Sequence, residues 1–253
     1  MIFALQPIHI FYSFICPVIK KKISWKKPSF QKKKFTQTKQ KKMEETCAQA
    51  AKKGDLDELQ RLRKNGCPWD EQTCTSAAEN GHWKVLQWAH ENGCPWNELT
   101  CTRAAGNGHL AILRWLREND CPWNDLTCAW AAANGHLDVL KWAHENGCPW
   151  NELTCAWAAE KGHWKVLKWA HKNGCPWDER TCTSAARNGH LNVLRRLREN
   201  GCPWSGKTYE QATRNGHLNV SRWLRDNGCP CNELTCEHLD VLQWLPHQPC
   251  PWN

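Results

Sequence analysis

Residues 201–208 read Gly-Cys-Pro-Trp-Ser-Gly-Lys-Thr and fit the phosphate-loop pattern at every position. In a working loop Gly201 and Gly206 would shape the backbone, Lys207 would reach phosphate oxygens and Thr208 would hold magnesium. A second set of reactive residues runs through most of the chain. Cys67, Cys94, Cys121, Cys148, Cys175, Cys202 and Cys229 stand 27 residues apart. Seven residues after them come Cys74, Cys101, Cys128, Cys155, Cys182 and Cys236, with Cys47 one period ahead and Tyr209 breaking the column. His82, His109, His136, His163, His190 and His217 keep the same period. Two cysteines and a histidine per copy are metal-ligand types.

The elements that carry these residues decide what they can do. A phosphate loop follows a strand and opens a helix, whereas residues 190–200 predict a helix. The segment also repeats a template, Gly-Cys-Pro-Trp-Asn-Glu-Leu-Thr at 93–100, from which two changes produce the match. Nucleotide binding is therefore not expected, nor any other cofactor. Cysteine and histidine intervals of seven and eight residues differ from short zinc motifs, whose paired ligands lie two to four residues apart. Reduced core cysteine is the favoured reading, since a buried free thiol packs as a small hydrophobe; a metal site, or a disulfide of the Cys94–Cys101 type, is the alternative.

One copy, Cys94 to Asp120, predicts two short helices. Asn97 is an N-cap and Glu98 suits the positive helix end. Cys101, Ala104 and Ala105 form a stripe of small side chains that lets a neighbouring helix come close. Asn107-Gly108 supplies the turn. Leu110, Ile112, Leu113, Trp115 and Leu116 then make the apolar side of a second helix. Helices of about ten residues need stacking partners to persist. The period thus dictates an all-α solenoid of stacked helix-turn-helix units.

These residues resemble the ankyrin repeat. Leu99-Thr100-Cys101 falls on its Thr-Pro-Leu, Ala104-Ala105 on its alanine pair, Gly108-His109 on its Gly-His and Ile112-Leu113 on its valine pair. The resemblance covers residues 43–253, but these copies are about six residues shorter than the usual 33 and lack the β-turn finger. It implies that the Gly-His histidines bond local backbone at the helix start, that Trp96 and its equivalents replace a packing valine, and that Trp115 and its equivalents replace a core leucine. His90, His144 and His171 fall in last turns, where the helix dipole favours a cation. A leucine-rich repeat is excluded by the absence of its Leu-x-x-Leu-x-Leu pattern.

Composition fits a copied unit: 18 Trp and 17 Cys accompany only 2 Tyr and 5 Phe. The net charge of +9 belongs to the N-terminus, where residues 1–42 hold 11 Lys and no Asp, Glu or Arg. The rest carries 23 basic against 25 acidic side chains, so the array has no overall footprint for nucleic acid. Residues 1–42 read as a basic disordered tail or an extension preceding translation from Met43. The array comprises a partial pair at 43–66, six full copies at 67–228 and a degenerate copy at 229–253.

Function in such an array belongs where copies differ and side chains leave the stack. At about 100° per helical residue, positions 99, 103 and 106 oppose the Cys-Ala-Ala stripe. The expected concave face then carries Leu99, Arg103, Leu126, Trp130, Leu153, Trp157, Glu160, Arg180, Arg187 and Arg214. An aromatic centre beside a basic flank is the anatomy of a protein-binding surface. The sequence predicts a monomeric, cytoplasmic, non-enzymatic scaffold for a protein partner with an acidic segment, without membrane attachment. A metal-binding cysteine-rich scaffold and a membrane-tethered adaptor using residues 1–42 are the rival readings.

Overall fold

The computed structural model describes residues 45–231. Seven helix pairs follow one another: α1 (Cys47–Lys53) and α2 (Leu56–Lys64), α3 (Glu71–Glu79) and α4 (Trp83–Glu91), α5 (Glu98–Gly106) and α6 (Leu110–Glu118), α7 (Asp125–Ala133) and α8 (Leu137–Glu145). Then come α9 (Glu152–Glu160) and α10 (Trp164–Lys172), α11 (Glu179–Arg187) and α12 (Leu191–Glu199), α13 (Gly206–Arg214) and α14 (Leu218–Asp226). No strand occurs among the described residues. The expectations for residues 1–42, and for the degenerate copy beyond Cys231, lie outside them.

From α3 to α11 each first helix begins where an Asx side chain meets extended backbone, while Thr46 and Ser205 cap α1 and α13. Asn97 has φ −144°, and its Oδ1 accepts from the Leu99 amide. The bond is 3.0 Å long. The helix stops at Gly108, whose φ of +76° is the left-handed conformation that glycine tolerates best. The His109 amide then reaches back to the Ala104 carbonyl at 2.9 Å, closing the six-to-one bond of a Schellman turn. The second helix of the preceding pair ends the same way, with Cys94 N donating to Ala89 O at 2.9 Å. Proline follows directly, and an extended Cys-Pro-Trp connector leads to the next cap.

The first helices stack directly on one another, α5 against α3 and α7, and α7 against α9. Cys101, Ala104 and Ala105, like their counterparts in most copies, are fully buried there. Their small volume is what allows the close approach. Ile112, Leu113 and Leu116 of α6 are buried against the partner helix, whereas Trp115 stays half-buried. The expected core role for Trp115 is therefore corrected: the leucine beside it fills the core and the indole covers its edge.

A threonine column adds polar links between copies. Thr75 and Thr100 hydroxyls lie 3.0 Å apart, Thr102 and Thr127 3.2 Å, and Thr183 and Thr208 3.1 Å. Where the partner position is Ala129, the buried Thr154 hydroxyl finds no partner.

Candidate protein-binding face

The phosphate-loop match belongs to the repeat register. Helix α12, not a strand, precedes it, and Gly206 opens α13. Lys207 is exposed, but Thr208 is fully buried, with its hydroxyl bonded to Thr183 at 3.1 Å and accepting from the Ser205 amide at 3.3 Å. A hydroxyl held inside the stack cannot face a metal-bound phosphate.

The cysteines pair, but not with their nearest sequence neighbours. Cys74 in α3 meets Cys94, the residue that leaves the same helix pair, with its Sγ 3.8 Å from the Cys94 carbonyl. Cys101 and Cys121 repeat the arrangement at 3.7 Å, and Cys128 and Cys148 at 4.0 Å. The Cys94–Cys101 pairing left open by spacing is corrected, because α5 turns Cys101 toward Cys121. Cys74 and Cys94 are free thiols, as are the other pairs named. The facing thiol, and then burial, push Cys74, Cys121 and Cys128 well above the ordinary thiol range. Such thiols pack and donate weakly to carbonyls. Among the described residues no group of three or more His, Cys, Asp or Glu side chains converges as a metal set would.

The Gly-His histidines link copies instead of bonding locally, and the local expectation is corrected. Nε2 of His82 lies 3.0 Å from the Lys52 carbonyl, His109 3.1 Å from Glu79, His190 2.9 Å from Glu160 and His217 2.9 Å from Arg187. A carbonyl only accepts, so Nε2 carries the proton. Each ring lies over the turn glycine of the preceding copy: a Cβ on Gly108 would come within 2.7 Å of His136 Nδ1. The glycine thus supplies both the left-handed turn and the space for the next copy's imidazole.

Connector tryptophans are clamped by the preceding second helix. His90 stacks on Trp96 at 3.7 Å, His144 on Trp150 at 3.7 Å and His171 on Trp177 at 3.3 Å. The other copies use arginine: Arg63 lies 3.9 Å from the Trp69 ring, Arg117 4.4 Å from Trp123 and Arg198 3.9 Å from Trp204. The last-turn histidines therefore do more than meet a helix dipole; they hold the connector that replaces a β-turn finger.

What remains on the free side of the first helices is the face singled out by sequence. Leu99 and Leu126 are exposed, at 39% and 36%. Leu153, Trp130 and Trp157 are half-buried, and the two indoles meet edge to face with centroids 5.9 Å apart. Arg103 extends this row, its guanidinium 5.1 Å from the Trp130 centroid and 3.9 Å from Glu79. Further along, Glu160 pairs with its neighbour Lys161 at 3.4 Å, and Arg180 approaches Glu152 at 3.5 Å. Arg187 donates to Gln211 at 3.2 Å, and Arg214 bonds Glu210 one turn back. All three arginines are exposed. The sequence columns include position 106 but give Gly106 no role of its own. A Cβ there would stand 3.3 Å from the Trp130 Cβ, so its small size seats that indole. The signal was present: Gly106 departs from the charged or alanine residues of the other copies.

No protein-family model and no curated protein matches the sequence. Among solved structures, the crystal structure of the human ASB11 ankyrin repeat domain is similar, with a TM-score of 0.56 at 17% identity over 74% of this chain and 100% of that one. That likeness agrees with the helix pairs, the small-residue stacking stripe and the Gly-His turns: the chain has the ankyrin-repeat fold.

Proposed function

We propose that this array is a non-enzymatic scaffold that binds an extended segment of a partner protein along the free face of its first helices. The ankyrin fold supports a protein-interaction role in general. The observation that carries the specific reading is the row Leu99, Leu126, Trp130, Leu153 and Trp157. Three consecutive copies present apolar side chains to solvent where the flanking copies carry Gln72, Ser76, Arg180 and Lys207. Aromatic anchors in such a setting dominate binding energy. Arg180, Arg187 and Arg214 beside them favour a partner with an acidic segment and would act mainly on association rate and salt dependence. The protein is read as a cytoplasmic monomer. Among the described residues no helix is long and apolar enough to cross a membrane.

Affinity purification with mass spectrometry would identify the partner, and variants then test the face. Leu126→Ser removes an exposed side chain and should leave the melting temperature unchanged. Trp157→Ala should weaken binding by about thirtyfold, equivalent to about 2 kcal/mol. Cys128→Ser should lower stability before it affects affinity, because that residue faces the stack. Full binding by both Leu126→Ser and Trp157→Ala would place the interface elsewhere.

A further inference from the structure

The chain of histidine clamps has a break. His136 should bond the Gly106 carbonyl, but Asn134 takes that acceptor with its Nδ2 at 2.8 Å. Among the described residues His136 makes no such inter-copy bond, unlike His109 in the copy before it, and it lines a solvent-open pocket of about 330 Å³. The pocket exists because Gly106 has no side chain where the other copies place Glu79, Ala133, Glu160, Arg187 and Arg214. Its wall is the Trp130 indole, and its rim is Arg103 and Glu79.

Arg103 is oriented but not saturated. Trp130 supports the guanidinium from one side, and Glu79 lies 3.9 Å away, beyond hydrogen-bonding distance. Its fork of donors makes no hydrogen bond among the described residues, while such a fork matches a carboxylate bidentately. The imidazole of His136 adds a second donor on the pocket wall.

We infer that the Gly106 notch, between Arg103, Trp130 and His136, is a subsite for a carboxylate side chain, an Asp or Glu of the bound segment. This rests on the proposed binding face and adds the chemistry at one end of it. A cation is disfavoured because Arg103 already covers the indole. A phosphate dianion is disfavoured because Glu79 shares the rim and offsets the arginine charge. A single carboxylate exchanges a long, unbonded approach by Glu79 for a charge-assisted bidentate contact.

Nuclear magnetic resonance on the full chain tests this without the partner. The probes are N-acetylglutamate methylamide, the isosteric N-acetylglutamine methylamide, and inorganic phosphate. The glutamate probe should shift the Trp130 indole and His136 ring signals saturably, at least tenfold more tightly than the glutamine probe or phosphate. Arg103→Gln should abolish the response. Gly106→Glu, which installs the residue found at positions 79 and 160, should abolish it too, with thermal melting confirming that both variants fold. Equal response to the two amino-acid probes, preference for phosphate, persistence in folded Arg103→Gln, or no shift at all would overturn the subsite. None of these results bears on whether Leu126 and Trp157 contact the partner, so failure here is distinct from failure of the binding face.

Discussion

Asp120 is the only described non-glycine residue with positive φ, at 61°. Its counterparts at the ends of the other second helices are Gly66, Gly93, Gly147, Gly174, Gly201 and Gly228, with φ from 74° to 89°. A Cβ on those glycines would meet nothing within 4 Å, so no clash accompanies the aspartate. The cost is in the backbone alone, where an L-residue in the left-handed region loses about 1 kcal/mol, somewhat less for Asp. Replacing Asp120 by glycine relieves that strain but also loosens the unfolded chain. The balance should favour the variant by about 0.5 kcal/mol, a rise of about 1–2 °C in melting temperature. An unchanged or lower melting temperature for Asp120→Gly would show that the aspartate side chain compensates its own backbone.

At the scale of elements, the turn between helices is where one copy holds the next. His163 follows Gly162 in such a turn, beside the Ala133 carbonyl of the preceding copy, and its pKa is lowered below the usual histidine value. Burial is the largest cause, and the neighbouring His136 adds to it against the opposing effect of the carbonyl. In the window between the lowered folded value and about 6.5, the unfolded chain binds more protons than the native one. Stability from this group is therefore complete above about pH 6.5 and falls as pH drops through that window. Thermal melts from pH 7.5 to 5 should show a smaller acid loss for His163→Asn than for the wild type; parallel curves would contradict the assignment. This role was not legible from sequence. The period fixed the histidine at the helix start, but sequence spacing only ranks neighbours within a copy. The acceptor lies in the copy before, and only the stacking offset reveals it. The same reason hid the link between Thr75 and Thr100.

At the scale of the whole array, the small-residue stripe and the apolar second-helix pattern made the architecture readable, because each copy had to bury the same face. The candidate face was readable as columns but not in its depth. Nothing in the alternation of residues shows that Trp130 and Trp157 lean on each other, or that Gly106 makes the room. The array's energetics follow from its connectivity. Each interior first helix packs on its own second helix and on the first helices before and after it, so stability is close to a sum of copies and interfaces. Ala132 is fully buried in α7, the helix between α5 and α9. Ala132→Leu forces extra methyl groups into contacts set by alanine-sized side chains, which should cost about 1–3 kcal/mol. The strain falls on the central interfaces, leaving the copies at each end with their own stacking intact. Hydrogen exchange followed by mass spectrometry should then show early loss of protection in α5, α7 and α9, with α1 and α13 protected longer. Denaturant unfolding should broaden from one transition toward two. Uniform loss of protection from α1 to α14, with a single sharp transition, would mean that the array unfolds as one block and that nearest-neighbour coupling exceeds the stability of any copy.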